Sequence, residues 1–301
     1  MSIEFKGRVA IVTGAGGGLG RQHALALAAR GAKVVVNDLG GARDGSGGSV
    51  SAAEAVVAEI RAAGGEAIAN GASVTDFEAV QVMVQQAMDT WGRVDILVNN
   101  AGILRDKSFA KMELADFKLV MDVHLMGAVH CCKAVWPIMT AQKYGRILMT
   151  TSSSGLYGNF GQANYGAAKM ALVGLMQTLS IEGAKDNVRV NCLAPTAATA
   201  MTEGLMPQAI LDKLAPDAVT PGLLYLVSEG APSRVILNAG AGTFARSYVT
   251  MTHGVHIGNG ADADDQVAAQ FEAISDRDEE VVPQNGSEQG SNEVGQAMAA
   301  G

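Results

Sequence analysis

Thr13-Gly-Ala-Gly-Gly-Gly-Leu-Gly20 is the stretch on which the reading of this chain turns. It follows Arg8-Val-Ala-Ile-Val-Thr13, a short apolar, β-branched run that reads as a buried strand. It precedes Leu19 to Arg30, an Ala- and Leu-rich stretch of helical character that stops at Gly31. Gly14, Gly18 and Gly20 let the backbone turn tightly and come close to a pyrophosphate without a Cβ in the way. The helix opening at Leu19 then offers its free N–H groups and positive dipole end to that anion. A glycine loop alone is often an ordinary turn; between a strand and a helix it points to nucleotide binding.

Outward from this loop, strands and helices alternate. Lys33–Asn37 is a second strand, Ser51–Ala63 a helix, Glu66–Asn70 a third strand, Phe77–Trp91 a helix and Val94–Val98 a fourth strand. Leu114–Thr140 reads as one long helix, stopped or bent near Pro137. Arg146–Thr151 is a strand, Gln162–Lys185 a helix, Val188–Ala194 a strand and Ala218–Ser228 a helix, with a last strand expected within Ile236–Ala245. Alternation at this pace predicts an α/β fold: a doubly wound, mainly parallel sheet of Rossmann type with helices on both faces. One such domain is expected over residues 1–250, followed by a C-terminal extension, 251–301. In that extension Asp262–Ile274 suggests a short acidic helix, and the polar, Gly-rich chain from Pro283 onward is expected to be poorly ordered.

Composition limits the partners. With 301 residues, 48% hydrophobic and 17% charged, the chain can bury a substantial core. A formal net charge of −8 argues against nucleic acid, which wants a basic face. Cys131, Cys132 and Cys192 are too few and too unevenly spaced for a disulfide framework or zinc site, and read as buried thiols. His253 and His256 lack acidic or thiol partners at metal spacing, so no metal is expected. Met112, Met121, Met126, Met139 and Met149 read as core or interface. The first seven residues lack a signal peptide's apolar region, no run reaches the length of a membrane span, and the last three are not a peroxisomal address. A cytoplasmic protein without membrane contact is the expectation.

Three further features carry chemistry. Asp38 ends the second strand, where a carboxylate can accept hydrogen bonds from the adenosine ribose hydroxyls and would repel a 2′-phosphate. The glycine loop has no Lys or Arg to neutralise such a phosphate, and Arg43 lies in the Gly-rich stretch 40–48, so NAD is expected over NADP. Tyr165-Gly-Ala-Ala-Lys169 puts a phenol and an ammonium on one helix face. A phenol with an ordinary pKa near 10 is a poor acid–base group at neutral pH; a cation one turn away favours the phenolate. Ser152, just after a strand, can donate to a substrate carbonyl and steady a developing alkoxide, with Ser153 and Ser154 as competitors. Asn99-Asn-Ala-Gly102 follows the fourth strand, and strand C-terminal ends are where open α/β sheets bind ligands.

Taken together and in this order, the glycine loop, Asn99-Asn-Ala-Gly102, Ser152 and Tyr165-x-x-x-Lys169 resemble the short-chain dehydrogenase/reductase family over roughly residues 5–250. The resemblance implies a single Rossmann-type domain, catalysis by Ser152, Tyr165 and Lys169, and a homodimer or tetramer. It adds Ser73, Val74, Asn100, Ala101, Gly102, Pro195 and Thr199 to Gly14, Gly18, Leu19, Gly20, Asp38, Tyr165 and Lys169 as cofactor-binding positions. Two departures stand out. His124 occupies the place of an asparagine that supports a proton relay, and it either carries that relay or only packs. Pro195-Thr196 replaces the usual Pro-Gly.

These departures, with Val36-Asn-Asp-Leu-Gly-Gly41 and Tyr157-Gly-Asn-Phe-Gly-Gln-Ala-Asn-Tyr165, resemble the (3R)-hydroxyacyl-CoA dehydrogenase branch found in type 2 multifunctional enzymes. That likeness implies NAD, oxidation of a 3-hydroxyacyl-CoA to the 3-ketoacyl-CoA, and an extension that helps cover a substrate pocket. The sequence shows no CoA-binding motif; Arg105, Lys107 and Lys111 are either the basic residues that meet CoA phosphates or ordinary surface charges. The same chemistry on a 17β-hydroxysteroid or another hydrophobic alcohol is the alternative. A non-catalytic nucleotide sensor is the remote one, since such a chain would tend to lose the tyrosine or lysine.

Overall fold

The computed structural model describes residues 2–42, 44–198 and 207–300. The chain divides into two compact units, Met1–Arg246 and Ser247–Gly301.

The first unit is built on a sheet of eight strands: β1 (Val9–Thr13), β2 (Lys33–Asn37), β3 (Glu66–Asn70), β4 (Ile96–Asn99), β5 (Gly145–Thr150), β6 (Val188–Thr196), β7 (Ile236–Gly240) and β8 (Thr243–Ser247). Their order is β3-β2-β1-β4-β5-β6-β7-β8, and every pair from β3 through β7 is parallel. Parallel strands need covered crossovers, so both faces are buried and the strands read as continuous apolar runs. Successive residues of β1 serve opposite faces. Ala10 and Val12 join Val34, Val36, Ile96 and Val98 in one core. Val9 and Ile11 join Val35, Leu97, Ile147 and Met149 in the other.

The first core is covered by α1 (Gly18–Ala29), α2 (Ser51–Ala62) and α9 (Thr220–Leu226); the second by α3 (Phe77–Trp91), α5 (Gly127–Gln142) and α7 (Ala163–Gly183). Bounds follow local chemistry. The Asp76 carboxylate caps α3 by accepting from Ala79 N at 3.1 Å, and Gly92 closes it in the left-handed region at φ 75°.

The long helix differs from expectation. No stop comes at Pro137, which lies inside α5, and the helix runs on to Gln142. The irregularity lies earlier. After α4 (Leu114–Met121) the ladder slips into one π turn, Asp122–Met126, before α5 resumes. A π turn inserts one residue without breaking the helix, and such turns gather at functional sites; this one carries His124. The stretch Leu114–Gln142 is also long and apolar enough, by length and composition, to cross a membrane. The sequence reading, which found no such run, is corrected on that point. Cys131, Val135 and Met139 of this stretch are buried against the sheet, as in a core helix.

Two short elements escaped the sequence: α6 (Ser153–Tyr157), directly after β5, and α8 (Gln208–Leu211). The expected last strand is split into β7 and β8 by a turn at Ala241 and Gly242, both at positive φ.

Within the second unit, Met251 and Val281 form an isolated antiparallel bridge. The acidic helix is interrupted at Gln270, giving α10 (Ala263–Ala269) and α11 (Phe271–Ile274). Beyond Pro283, where the sequence suggested a polar tail without regular structure, Ser287–Ala300 is helix α12. Asn285 Oδ1 accepts from Ser287 N at 2.9 Å and starts the helix, and Glu288 lies in its first turn, where the dipole favours an acid. The carbonyl of His253 accepts from Asn292 and Gln296 of α12.

Candidate active site

Among the described residues, the glycine loop follows β1, Asp38 follows β2, Ser73 and Val74 follow β3, Asn100, Ala101 and Gly102 follow β4 and Ser152 follows β5, all at C-terminal strand ends. Because β1 is flanked by β2 on one side and β4 on the other, the strand order reverses there, and dinucleotides bind at such a switch point.

The glycine loop is laced to the loop after β4. Thr13 Oγ1 accepts from the amides of Asn100 (3.0 Å) and Ala101 (3.1 Å). Asn100 Nδ2 donates to the carbonyls of Thr13 and Gly14, both at 3.0 Å. This contact, not a ligand, demands two of the glycines: a Cβ at Gly14 would lie 2.7 Å from Ala101 Cα, and one at Gly20 would lie 2.2 Å from the Gly14 carbonyl. The open side of the loop is at Gly17, where a Cβ would meet nothing within 4 Å. Gly17 is also the N-cap of α1 and has no side chain to satisfy the first amides, Gly18 and Leu19 among them. No acidic residue occupies the first turn. An uncapped helix start beside open space fits the pyrophosphate of a dinucleotide.

Asp38 lies at this same loop. Its Oδ2 accepts from Gly16 N at 2.7 Å and its Oδ1 from Gly40 N at 2.6 Å. Each carboxylate oxygen keeps a lone pair for a hydroxyl. Arg21, the basic residue on α1 near the loop, is paired with Glu59.

Ser152 and Tyr165 come together: the serine hydroxyl lies near enough to the phenol to favour its ionised form. Ser152 is buried at the N-cap of α6, where its Oγ accepts from Ser154 N at 3.2 Å. That separates it from Ser153 and Ser154, its competitors by spacing. Tyr165 lies in the first turn of α7, and Lys169 follows one turn on, buried, with Nζ 5.4 Å from the centroid of the phenol ring. Lys169 Nζ donates to the Thr150 carbonyl at 2.5 Å.

Their electrostatics depart from the sequence reading. Burial raises the Tyr165 phenol above its ordinary value; the nearby Ser152 hydroxyl opposes this, and the Asp106 carboxylate adds to it. Burial also lowers Lys169, to about 7. A desolvated ammonium is costly, so the pair is tuned by exclusion of water more than by attraction between its members. The result is a lysine that exchanges a proton near neutrality.

His124 is buried edge-on to Tyr165, with ring centroids 5.2 Å apart and planes at 89°. Its Nε2 is held by the Ile103 backbone, 2.8 Å from O and 3.1 Å from N. Burial, reinforced by Lys169, pushes its pKa down to about 3, so the ring is neutral. His124 Nδ1 and Asn99 Oδ1 are buried without a hydrogen-bond partner. Both residues line a small internal cavity with Thr13, Val74 and Lys169. Two orphaned polar atoms beside a lysine amine make a polar recess suited to a proton path.

Of the remaining sequence candidates, Ser73 hydrogen-bonds Thr75 at 2.8 Å, and Val74 is buried, its carbonyl 2.9 Å from His130 Nδ1. Gly102 lies against the His124 ring. Pro195 is near the end of β6; Thr199 and Arg43 lie outside the described residues. Arg105 is engaged, donating to the Asp44 carbonyl at 2.7 Å and pairing with Asp116 at 3.1 Å, and Lys107 reaches the other oxygen of Asp116 at 3.9 Å. The sequence reading missed Thr13, Asn99 and Gln162. The first two sit inside motifs it had marked, but only distances reveal their partners.

The chain matches the short chain dehydrogenase family over residues 8–209 and belongs to it. It is an oxidoreductase of that family, and its fold is the family's. Within the family, it is 53% identical over 246 residues to the peroxisomal hydratase-dehydrogenase-epimerase of Saccharomyces cerevisiae, covering 81% of this chain and 27% of that protein. The chain thus spans about a quarter of that relative's length. The structure of full-length peroxisomal multifunctional enzyme type 2 from Drosophila melanogaster is similar with a TM-score of 0.81 and 37% identity, over 99% of this chain and 50% of that one. A 7α-hydroxysteroid dehydrogenase solved with NADH and 7-oxo glycochenodeoxycholic acid is similar with a TM-score of 0.71 and 31% identity, over 79% of this chain and 95% of that one.

Proposed function

We propose that this protein is an NAD-dependent dehydrogenase that oxidises a (3R)-hydroxyacyl-CoA to the 3-ketoacyl-CoA. The observation that carries the reading is Tyr165, with the buried Ser152 hydroxyl close enough to favour its phenolate and a buried lysine one helical turn away. The names of the similar multifunctional enzymes support the acyl-CoA substrate, and the NADH-bound relative supports a nicotinamide cofactor. Asp38 supports NAD, because a carboxylate accepts from ribose hydroxyls and repels a 2′-phosphate.

In this reading the Ser152 hydroxyl orients the substrate oxygen, and Tyr165 takes the hydroxyl proton as phenolate, a form that burial opposes and that the positive nicotinamide ring would favour when bound. The bound nicotinamide supplies the hydride acceptor for the carbinol carbon. As the carbonyl forms, the proton on Tyr165 leaves by way of Lys169, whose pKa near 7 suits it to exchange. His124 Nδ1 and Asn99 Oδ1 line the way out. Lys169 would also hold the ribose of a bound nicotinamide. We propose a homodimer as the working assembly, as in the family, with a tetramer as the alternative.

The test is a panel of (3R)- and (3S)-hydroxyacyl-CoA and a free 17β-hydroxysteroid, each with NAD and NADP. The highest kcat/KM is expected for the (3R) thioester with NAD. Faster turnover of the free steroid, or preference for NADP, overturns the corresponding half of the proposal.

A further inference from the structure

Ser152 and Tyr165 belong to different elements, the end of β5 and the start of α7, so a working distance between them has to be built. Part of the fixing is steric. A Cβ at Gly155 would lie 2.8 Å from Lys169 Cβ, and one at Gly166 would lie 3.0 Å from the Ser154 carbonyl, so α6 lies directly on α7.

The rest falls to Gln162. It holds the N-cap position of α7, where a short side chain that bonds the helix's own amides is favoured, yet it makes no such bond. Its amide reaches three other places. Gln162 Oε1 accepts from Ser154 Oγ at 2.8 Å and from Asn159 Nδ2 at 3.0 Å. Its Nε2 donates to Asp106 Oδ2 at 2.7 Å. Ser154 is the residue whose amide is bonded by Ser152 Oγ, and Asp106 lies on the loop that follows β4. Two neighbouring bonds run the same way: Lys107 N to the Gly161 carbonyl at 2.9 Å, and the fully buried Asn164 Nδ2 to the Arg105 carbonyl at 3.1 Å. Three chain segments converge on one carboxamide.

We propose that Gln162 is a positioning residue: through Ser154 and Asp106 it sets Tyr165 against Ser152, and the reaction rate depends on the donor–acceptor sense of its bond to Asp106. The proposal rests on the dehydrogenase reading above for its rate measurement, but its geometry does not need the substrate's identity. Gln162→Glu keeps the acceptor for Ser154 and Asn159 and removes the donor to Asp106, setting two carboxylates face to face. Asp106→Asn added to it restores a donor, now from residue 106. Misplacement of reacting groups by about 1 Å costs on the order of 100-fold in rate.

The experiment measures kcat, KM and NADH affinity for Q162E, D106N and Q162E/D106N. Q162E is expected to lose at least about tenfold in kcat with NADH affinity unchanged. The double variant is expected to recover most of that loss, which a merely structural side chain would not allow. Wild-type kcat in Q162E, or a double variant no faster than Q162E, overturns the proposal. Should Q162E fail to fold, S154A, which removes one donor to Gln162, is expected to show a smaller kcat loss, and an unchanged kcat there overturns it equally. The phenolate absorbance of Tyr165, taken as the difference from Y165F, gives a readout independent of turnover. D106N is expected to lower that titration, because the carboxylate that opposes phenolate formation is gone, and an unmoved titration counts against Asp106's place in the arrangement. If no secondary alcohol is turned over by the wild-type protein, the functional reading fails while this titration still decides the positioning.

Discussion

The His124 ring fills the space where a side chain at Gly102 would begin, since a Cβ built there would lie 2.3 Å from His124 Cε1. The glycine that ends Asn99-Asn-Ala-Gly102 thus leaves room for the His124 ring. Gly102→Ala is expected to destabilise the fold by about 1–3 kcal/mol through overpacking and to lower kcat by moving the ring. His124→Ala in the Gly102→Ala background is expected to recover stability and not kcat, as denaturant unfolding and steady-state rates measured together would show. Equal stability of G102A and wild type would mean that the ring moves aside freely.

Asp38 has two duties that one substitution separates. Its carboxylate holds the amides of Gly16 and Gly40, and in the proposed function it also receives ribose hydroxyls. Asp38→Ala is expected to cost about 10–100-fold in kcat/KM with NAD, the size of a charged hydrogen bond or two, and to raise the NADP to NAD ratio of kcat/KM. A loss that is equal for both cofactors would assign Asp38 to the loop alone.

Two buried histidines shape acid stability. His23 on α1 lies 3.0 Å from Thr220 Oγ1, and burial holds its pKa at about 3, the same value reached by His124. An unfolded histidine binds a proton near pH 6.5, so between about 6.5 and 3 the unfolded chain holds more protons than the native one. Stability therefore falls as the pH is lowered through that window, each histidine adding a slope of up to about 1.4 kcal/mol per pH unit. His23→Leu is expected to flatten the fall, measured as the denaturant midpoint against pH. An unchanged slope would show that His23 is not neutral in the native protein.

How much of this could be read beforehand depends on whether the signal is local. The bounds of β2, β3 and α3 could be read to the residue, because Lys33–Asn37 and Glu66–Asn70 are bracketed by turns and α3 carries its own cap and C-terminal glycine. The Tyr165–Lys169 face followed from helical spacing. The π turn at Asp122–Met126 left no such mark: it is a one-residue slip in the ladder, and Pro137, the visible suspect, is accommodated. Helix α12 was hidden by its glycines, although Asn285 and Glu288 furnish a helix start. The depth of Lys169, the edge-on His124 and the three-way grip of Gln162 arise from segments far apart in the chain, which no window of sequence displays.

The claim beneath all of these is that the Tyr165 phenol does the proton chemistry. Tyr165→Phe removes one oxygen and leaves the glycine loop, Asp38 and Lys169 in place, so NADH affinity is expected to hold. Turnover of (3R)-hydroxyacyl-CoA with NAD is expected to fall by about 10²–10⁴-fold. A Y165F protein that binds NADH normally and still turns over at the wild-type rate would contradict the account.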